Sequence, residues 1–160
     1  MTRPITIVEA ARTHRAPAQV WRLLGDFGNE HRWSSQLASC RRDTAEVGVG
    51  TRRTCALAKP LMGRTETTEE LTGYVAGESL AYRLSGRAGP FRVAEGSWVV
   101  TAEQDATVVS VSGRFEPLNA AVGLLVGPLA RVVAVRAARR ALADLLTAVE
   151  ASDLSDRGTA

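Results

Sequence analysis

The chain is poor in aromatic residues, 5% of 160, and carries a single lysine, Lys59, beside nineteen arginines. That excludes the lysine-rich, aromatic-studded surface of a nucleic-acid binder. The net charge of +3 does not restore it, because the arginines are interleaved with seventeen carboxylates along the chain and form no basic stripe. Nucleic acid is therefore not an expected partner. Cysteine is scarce too. Cys40 and Cys55 have neither CxxC spacing nor a companion histidine cluster, which argues against a zinc site or a redox pair and predicts two reduced thiols in the core.

Histidine is limited to His14 and His31, and no carboxylate or cysteine pattern around them makes a metal site. His31, beside Trp33, either borders an entrance or sits on the surface at a helix end. No P-loop, dinucleotide fingerprint or nucleophile elbow is present, so no cofactor is expected and any chemistry is proton transfer. Long apolar runs are missing as well. The longest, Ala120 to Ala130, contains Gly123, Gly127 and Pro128 and stops at Arg131, short of the roughly 20 residues that span a bilayer. Stable membrane insertion is not expected. Met1 to Val8 lacks the apolar core of a signal peptide, and the expected location is the cytoplasm.

What is present is globular composition, 45% hydrophobic and 23% charged, enough for one domain with a real core. That domain is expected over residues 1–151, with a disordered tail at 152–160 and a monomer or homodimer as the assembly. No internal repeat appears. Ile5 to Thr13 reads as a strand. Pro17 opens a helix that buries Val20, Trp21, Leu23, Leu24 and Phe27, and a shorter turn holds His31 and Trp33. Strand-like segments follow at Leu37 to Thr44, Thr51 to Ala58, Thr65 to Tyr74, Ser79 to Ser85 and Phe91 to Pro117, separated by glycine- and proline-bearing turns.

The last of these folds on itself. A two-residue turn at Gln104-Asp105 sets Val100 opposite Val109, Trp98 opposite Val111, Gly96 opposite Gly113 and Ala94 opposite Phe115. One face is then apolar. The other pairs Glu95 with Arg114 and Ser97 with Ser112, which suits solvent. From Asn119 to Ser152 the pattern is helical, with a kink expected at Gly127-Pro128. At about 100° per residue, Val135, Ala138, Leu142, Leu145, Leu146 and Val149 share one stripe, and Arg136, Arg140 and Asp144 lie opposite. Together these elements predict an α+β fold, a curved antiparallel sheet of about seven strands around a long C-terminal helix with two short helices after the first strand.

This order resembles the START-like, or SRPBCC, superfamily, which includes bacterial polyketide cyclase/dehydrase proteins. The resemblance covers about Ile5 to Glu150. It rests on "APAQVWRLLGDF" (Ala16 to Phe27), "VGVGTRR" (Val47 to Arg53), "TEELTGY" (Thr68 to Tyr74), "SGRFEPL" (Ser112 to Leu118) and "LLVGPLARVV" leading to "RRALADL". It implies a helix-grip fold, in which the sheet curls around the last helix and leaves an internal pocket edged by loops, here Lys59 to Gly63 and Gly86 to Pro90. The expected ligand is a hydrophobic small molecule, with biosynthesis or lipid binding as the setting.

Strand alternation assigns side chains to that pocket. Leu71 brings Glu69 and Thr67 to its face, Leu84 brings Tyr82, and Cys55 and Leu57 bring Arg53. The hairpin supplies Ala94, Trp98, Val100, Val109, Val111 and Phe115. The helix supplies Val135 and Leu142, and Arg131 falls in the same phase, at the pocket mouth unless a kink at Pro128 rotates it away. Glu69 is the sharpest candidate, since burial poises a carboxyl as an acid or base near neutrality. A buried ion pair with Arg53, or a register slipped by one residue, are the plainer alternatives. Arg53 either stabilises an enolate or anchors a ligand carboxylate, or is a solvated arginine near the strand start, and Tyr82 either donates its phenol to a ligand carbonyl or is plain pocket wall. Two functions fit these residues: a cyclase/dehydratase that promotes ring closure by confinement and acid/base catalysis, with Glu69, Arg53 and Tyr82 as its machinery, or a non-catalytic carrier or sensor of an apolar ligand. A regulator that docks a protein through the loops is a third.

Overall fold

The computed structural model describes residues 3–61, 63–85 and 89–157, the last five by backbone alone. The chain runs β1 (Ile5–Thr13), α1 (Pro17–Leu24), a 3-10 turn (Glu30–Arg32), β2 (Leu37–Arg42), β3 (Arg52–Leu61), β4 (Arg64–Val75), β5 (Ser79–Leu84), β6 (Phe91–Ala102), β7 (Thr107–Pro117) and α2 (Ala120–Arg157). All seven strands form one antiparallel sheet in the order β1-β7-β6-β5-β4-β3-β2. The helix-grip expectation holds.

Local chemistry accounts for the elements. Pro17 occupies the first turn of α1, where its missing N–H costs nothing, and the Ala16 backbone N–H donates to Gln19 Oε1 at 3.0 Å. The β6–β7 register is the predicted one, Trp98 opposite Val111 and Gly96 opposite Gly113, closed where the Glu103 N–H donates to the Ala106 carbonyl. On its outer face Ser97 and Ser112 hydrogen-bond at 2.7 Å and Arg114 meets Glu95 at 3.1 Å. The β4–β5 pairing shifts register between Leu71 and Gly73. This bulge turns the alternation over, so that Leu71 and Tyr74 both face the core.

The core lies between the concave face of the sheet and the two helices. Ile7, Leu71, Leu80, Trp98, Val109 and Val111 from the strands pack with Val20 and Leu24 of α1 and with Ala138, Leu142, Leu145 and Val149 of α2. Two bonds from Ser35 fasten α2: Asp144 Oδ2 accepts its N–H at 2.8 Å and its hydroxyl at 2.6 Å.

Three expectations change. Cys40 and Cys55 are not reduced thiols; they stand opposite each other on β2 and β3 and form a disulfide. Helix α2 continues to Arg157, past Ser152. The apolar run from Ala120 to Ala130 is short, but the helix that contains it has an 18-residue window of mean hydropathy 1.7, of which 6% is buried. By length and composition alone that helix suffices to cross a bilayer.

Candidate functional site

β3 and β4 place Arg53 and Glu69 directly opposite each other on the concave face. Glu69 Oε2 accepts from Arg53 Nε at 2.8 Å and from Nη2 at 2.6 Å. The remaining arm of the guanidinium, Nη1, meets Glu30 of the 3-10 turn. The Arg53 side chain is 4% exposed, Glu69 13% and Glu30 16%. One guanidinium thus holds two carboxylates inside the fold. Its flat face lies 4.1 Å from the Phe27 ring centroid and 5.7 Å from that of Tyr82, the geometry in which a ring quadrupole attracts a cation.

The electrostatics follow from burial and from a charge count that does not cancel. Desolvation pushes the Glu69 carboxyl above its ordinary value near 4.5; Arg53 pulls the other way, and Glu30 adds to the rise. Burial would lower Arg53, but Glu30 and Glu69 outweigh it and hold the guanidinium protonated. Tyr82 is raised, by burial first and then by the negative charge of Glu69 and Glu30, so it remains a neutral donor. Tyr82 owes its place to Gly96, its partner across β5 and β6. A Cβ there would lie 2.5 Å from the phenol.

Around this polar centre the side chains that alternation turns inward pack against one another. Leu71, Trp98, Val100, Val109, Val111 and Leu142 belong to one buried cluster, with Tyr82, Phe115 and Val135 packed against it. Ala94 is buried, and Thr67 and Leu84 are half-buried. Trp33 stands edge-on to Trp98, centroids 6.2 Å apart. Among the described residues His31 Nδ1 and Trp33 Nε1 are buried with no hydrogen-bond partner, and His31 is half-buried, not a plain surface residue. His14 is a surface residue, its Nδ1 against the Asp105 carbonyl.

Other predicted residues stand apart. Cys55 faces inward, but its sulfur is bonded to Cys40. Leu57 lines a groove of about 370 Å³ between the end of β3, including Pro60 and Leu61, and Val133, Arg136 and Ala137 of α2. Arg131 is exposed and reaches the Thr6 carbonyl, on a second groove of about 730 Å³ between β1 and α2. Met62 and Gly86 to Ala88, central to the two entrance loops, lie outside the described residues. Among the described residues no three His, Cys, Asp or Glu side chains converge as a metal site.

Glu30 was not visible in the sequence reading. It is one carboxylate in a three-residue turn, with no periodic neighbours, and only the approach of that turn to β3 gives it a role.

Comparison with known proteins agrees with this fold. No curated protein matches the sequence significantly. Among solved structures, TTHA0849 from Thermus thermophilus superposes with a TM-score of 0.72 at 21% identity, covering 92% of this chain and 98% of that one. The Zhui aromatase/cyclase from a Streptomyces species gives 0.71 at 17% identity, covering 92% and 94%. These likenesses establish the fold. The family described as polyketide cyclase / dehydrase and lipid transport matches residues 4–150, nearly the whole domain, and the chain therefore belongs to that family, within the SRPBCC superfamily its sequence marks resemble.

Proposed function

We propose that the protein binds a hydrophobic, oxygen-bearing small molecule against its concave face and promotes ring closure without a cofactor, in the manner of a polyketide cyclase/dehydrase. The observation that carries this reading is the buried Glu30-Arg53-Glu69 cluster beside Tyr82. With both carboxylates ionised it holds one excess negative charge in a low-dielectric site. One proton is therefore readily taken up and released there.

Glu69 removes a proton from a carbon flanked by carbonyls. The carbanion closes on a second carbonyl of the same chain, the resulting alkoxide takes the proton back, and loss of water leaves the unsaturated ring. Tyr82, neutral because its pKa is raised, donates to the developing oxyanion. Arg53 has its guanidinium occupied by two carboxylates, so it positions Glu69 and does not itself anchor substrate. The aromatic and aliphatic walls select the folded conformer of the substrate. The buried unpaired nitrogens of His31 and Trp33 support an oxygen-bearing ligand, since an unmet buried polar group costs about 1–3 kcal/mol.

The test is Glu69→Gln, assayed on a linear polyketone thioester with binding followed by native mass spectrometry. Retained binding with lost ring formation is the expected result; unchanged product formation removes Glu69 from the mechanism. The second reading, a carrier or sensor of an apolar ligand, is favoured by the saturation of Arg53, which is what a purely structural ion cluster looks like. It predicts a molecule retained through purification and recovered by solvent extraction with its mass unaltered.

A further inference from the structure

The first half of α2 overhangs the sheet. Leu124 and Leu125 are each 80% exposed, Leu129 67%, Val132 45% and Val133 39%, whereas further along the same helix Leu142 is 3% exposed and Leu145 is fully buried. Across the groove lined by Val133, Arg136 and Ala137, the end of β3 contributes Lys59, Pro60 and Leu61, the last 52% exposed. Contiguous apolar surface of this kind marks an interaction site.

Charge identifies the occupant. From Pro117 to Ala143 the sequence holds four arginines, Arg131, Arg136, Arg139 and Arg140, and no carboxylate. Arg139 is committed to Glu9 of β1; Arg131, Arg136 and Arg140 remain exposed along the helix, with Lys59 across the groove. Exposed leucines beside cations are the composition of a surface that lies in the headgroup region of an anionic bilayer. A second copy of the chain, docked face to face on this half of the helix, would set the same cations against one another with no acid between Ala120 and Ala143 to offset them. Full insertion is opposed too. A span of about 20 residues from Ala120 would draw Arg131, Arg136 and Arg139 into hydrocarbon, and the C-terminal half of α2 is held in the core.

We infer that the exposed half of α2, together with the end of β3, docks the protein peripherally on an anionic phospholipid surface, leucines inserted and Lys59 and Arg136 against the phosphates. This is independent of whether the interior is catalytic. The test is flotation of the full chain with phosphatidylcholine vesicles, with and without phosphatidylglycerol, at low and high salt. The expected result is retention at least ~10-fold greater on the anionic vesicles, suppressed by high salt. Leu125→Ser with Leu129→Ser, and separately Lys59→Glu with Arg136→Glu, abolish it without moving the thermal melt, since all four side chains are exposed. No retention of the wild type, equal retention on neutral vesicles, or wild-type behaviour of either variant overturns the proposal. So does a dimer in sedimentation that the leucine variant dissolves while vesicles capture nothing, which would assign the face to a second copy.

Discussion

Glu69 Oε2 sits 2.6 Å from Arg53 Nη2, across neighbouring strands, while the same guanidinium also serves Glu30. The pair is thus part of a triad with two acids and one base. Removing the base and removing an acid must therefore have unequal consequences.

Arg53→Leu leaves two buried carboxylates uncompensated and should cost about 3–5 kcal/mol at neutral pH. The loss should shrink as pH falls and protonation relieves it. Glu69→Gln should be far milder and should flatten the pH profile. The folded-state pKa of Glu69 is raised, so its contribution is fully present below the unfolded value and is lost as pH rises through the folded one. Urea denaturation of the wild type and both variants across this range reads the difference.

Gly96→Ala places a methyl 2.5 Å from the Tyr82 phenol. Overpacking of this kind costs about 1–3 kcal/mol. In a Tyr82→Ala background the same change should cost almost nothing. A double-mutant cycle on thermal melting measures that coupling, and additive effects would show that Tyr82 lies elsewhere.

The disulfide closes a sequence separation of 15 between Cys40 and Cys55, for which loop entropy gives about 3 kcal/mol. Thiol titration of the denatured, unreduced protein should find none free, and reduction should lower the urea midpoint. Two titratable thiols in the untreated protein would contradict the pairing.

Asp144 fastens α2 to the segment after the 3-10 turn through both polar groups of Ser35. Asp144→Ala should cost about 1–3 kcal/mol and speed amide exchange at Ser35. An unchanged exchange rate would mean that the helix is held by its apolar stripe alone.

The elements were legible where one period governs a long segment. Strict alternation through β6 and β7 fixes which side chains face inward, and a one-residue slip would reverse them all, so the inward-facing side chains from Trp98 to Phe115 could be written down from the sequence. The stripe from Val135 to Val149 was legible for the same reason. Glu69 and Arg53 could be put on one face of neighbouring strands, but ligand contact and ion pairing looked alike until their atoms were placed.

Tertiary structure alone decided the rest. Arg131 shares the helical phase of Val135 but is exposed, because phase says which way a residue points along a helix and not whether anything lies there to cover it. Glu30 meets Arg53 from 23 positions away in the sequence, out of a turn without periodicity. Cys40 faces Cys55 only because the β2–β3 register, irregular between Leu37 and Ser39, brings them level. The sequence by itself determined the alternation, the amphipathic stripe and so the helix-grip core, since these depend on side-chain direction within one element. The partners of the buried charges, the disulfide and the uncovered half of α2 depend on distances between elements, which only the assembled sheet and helix set.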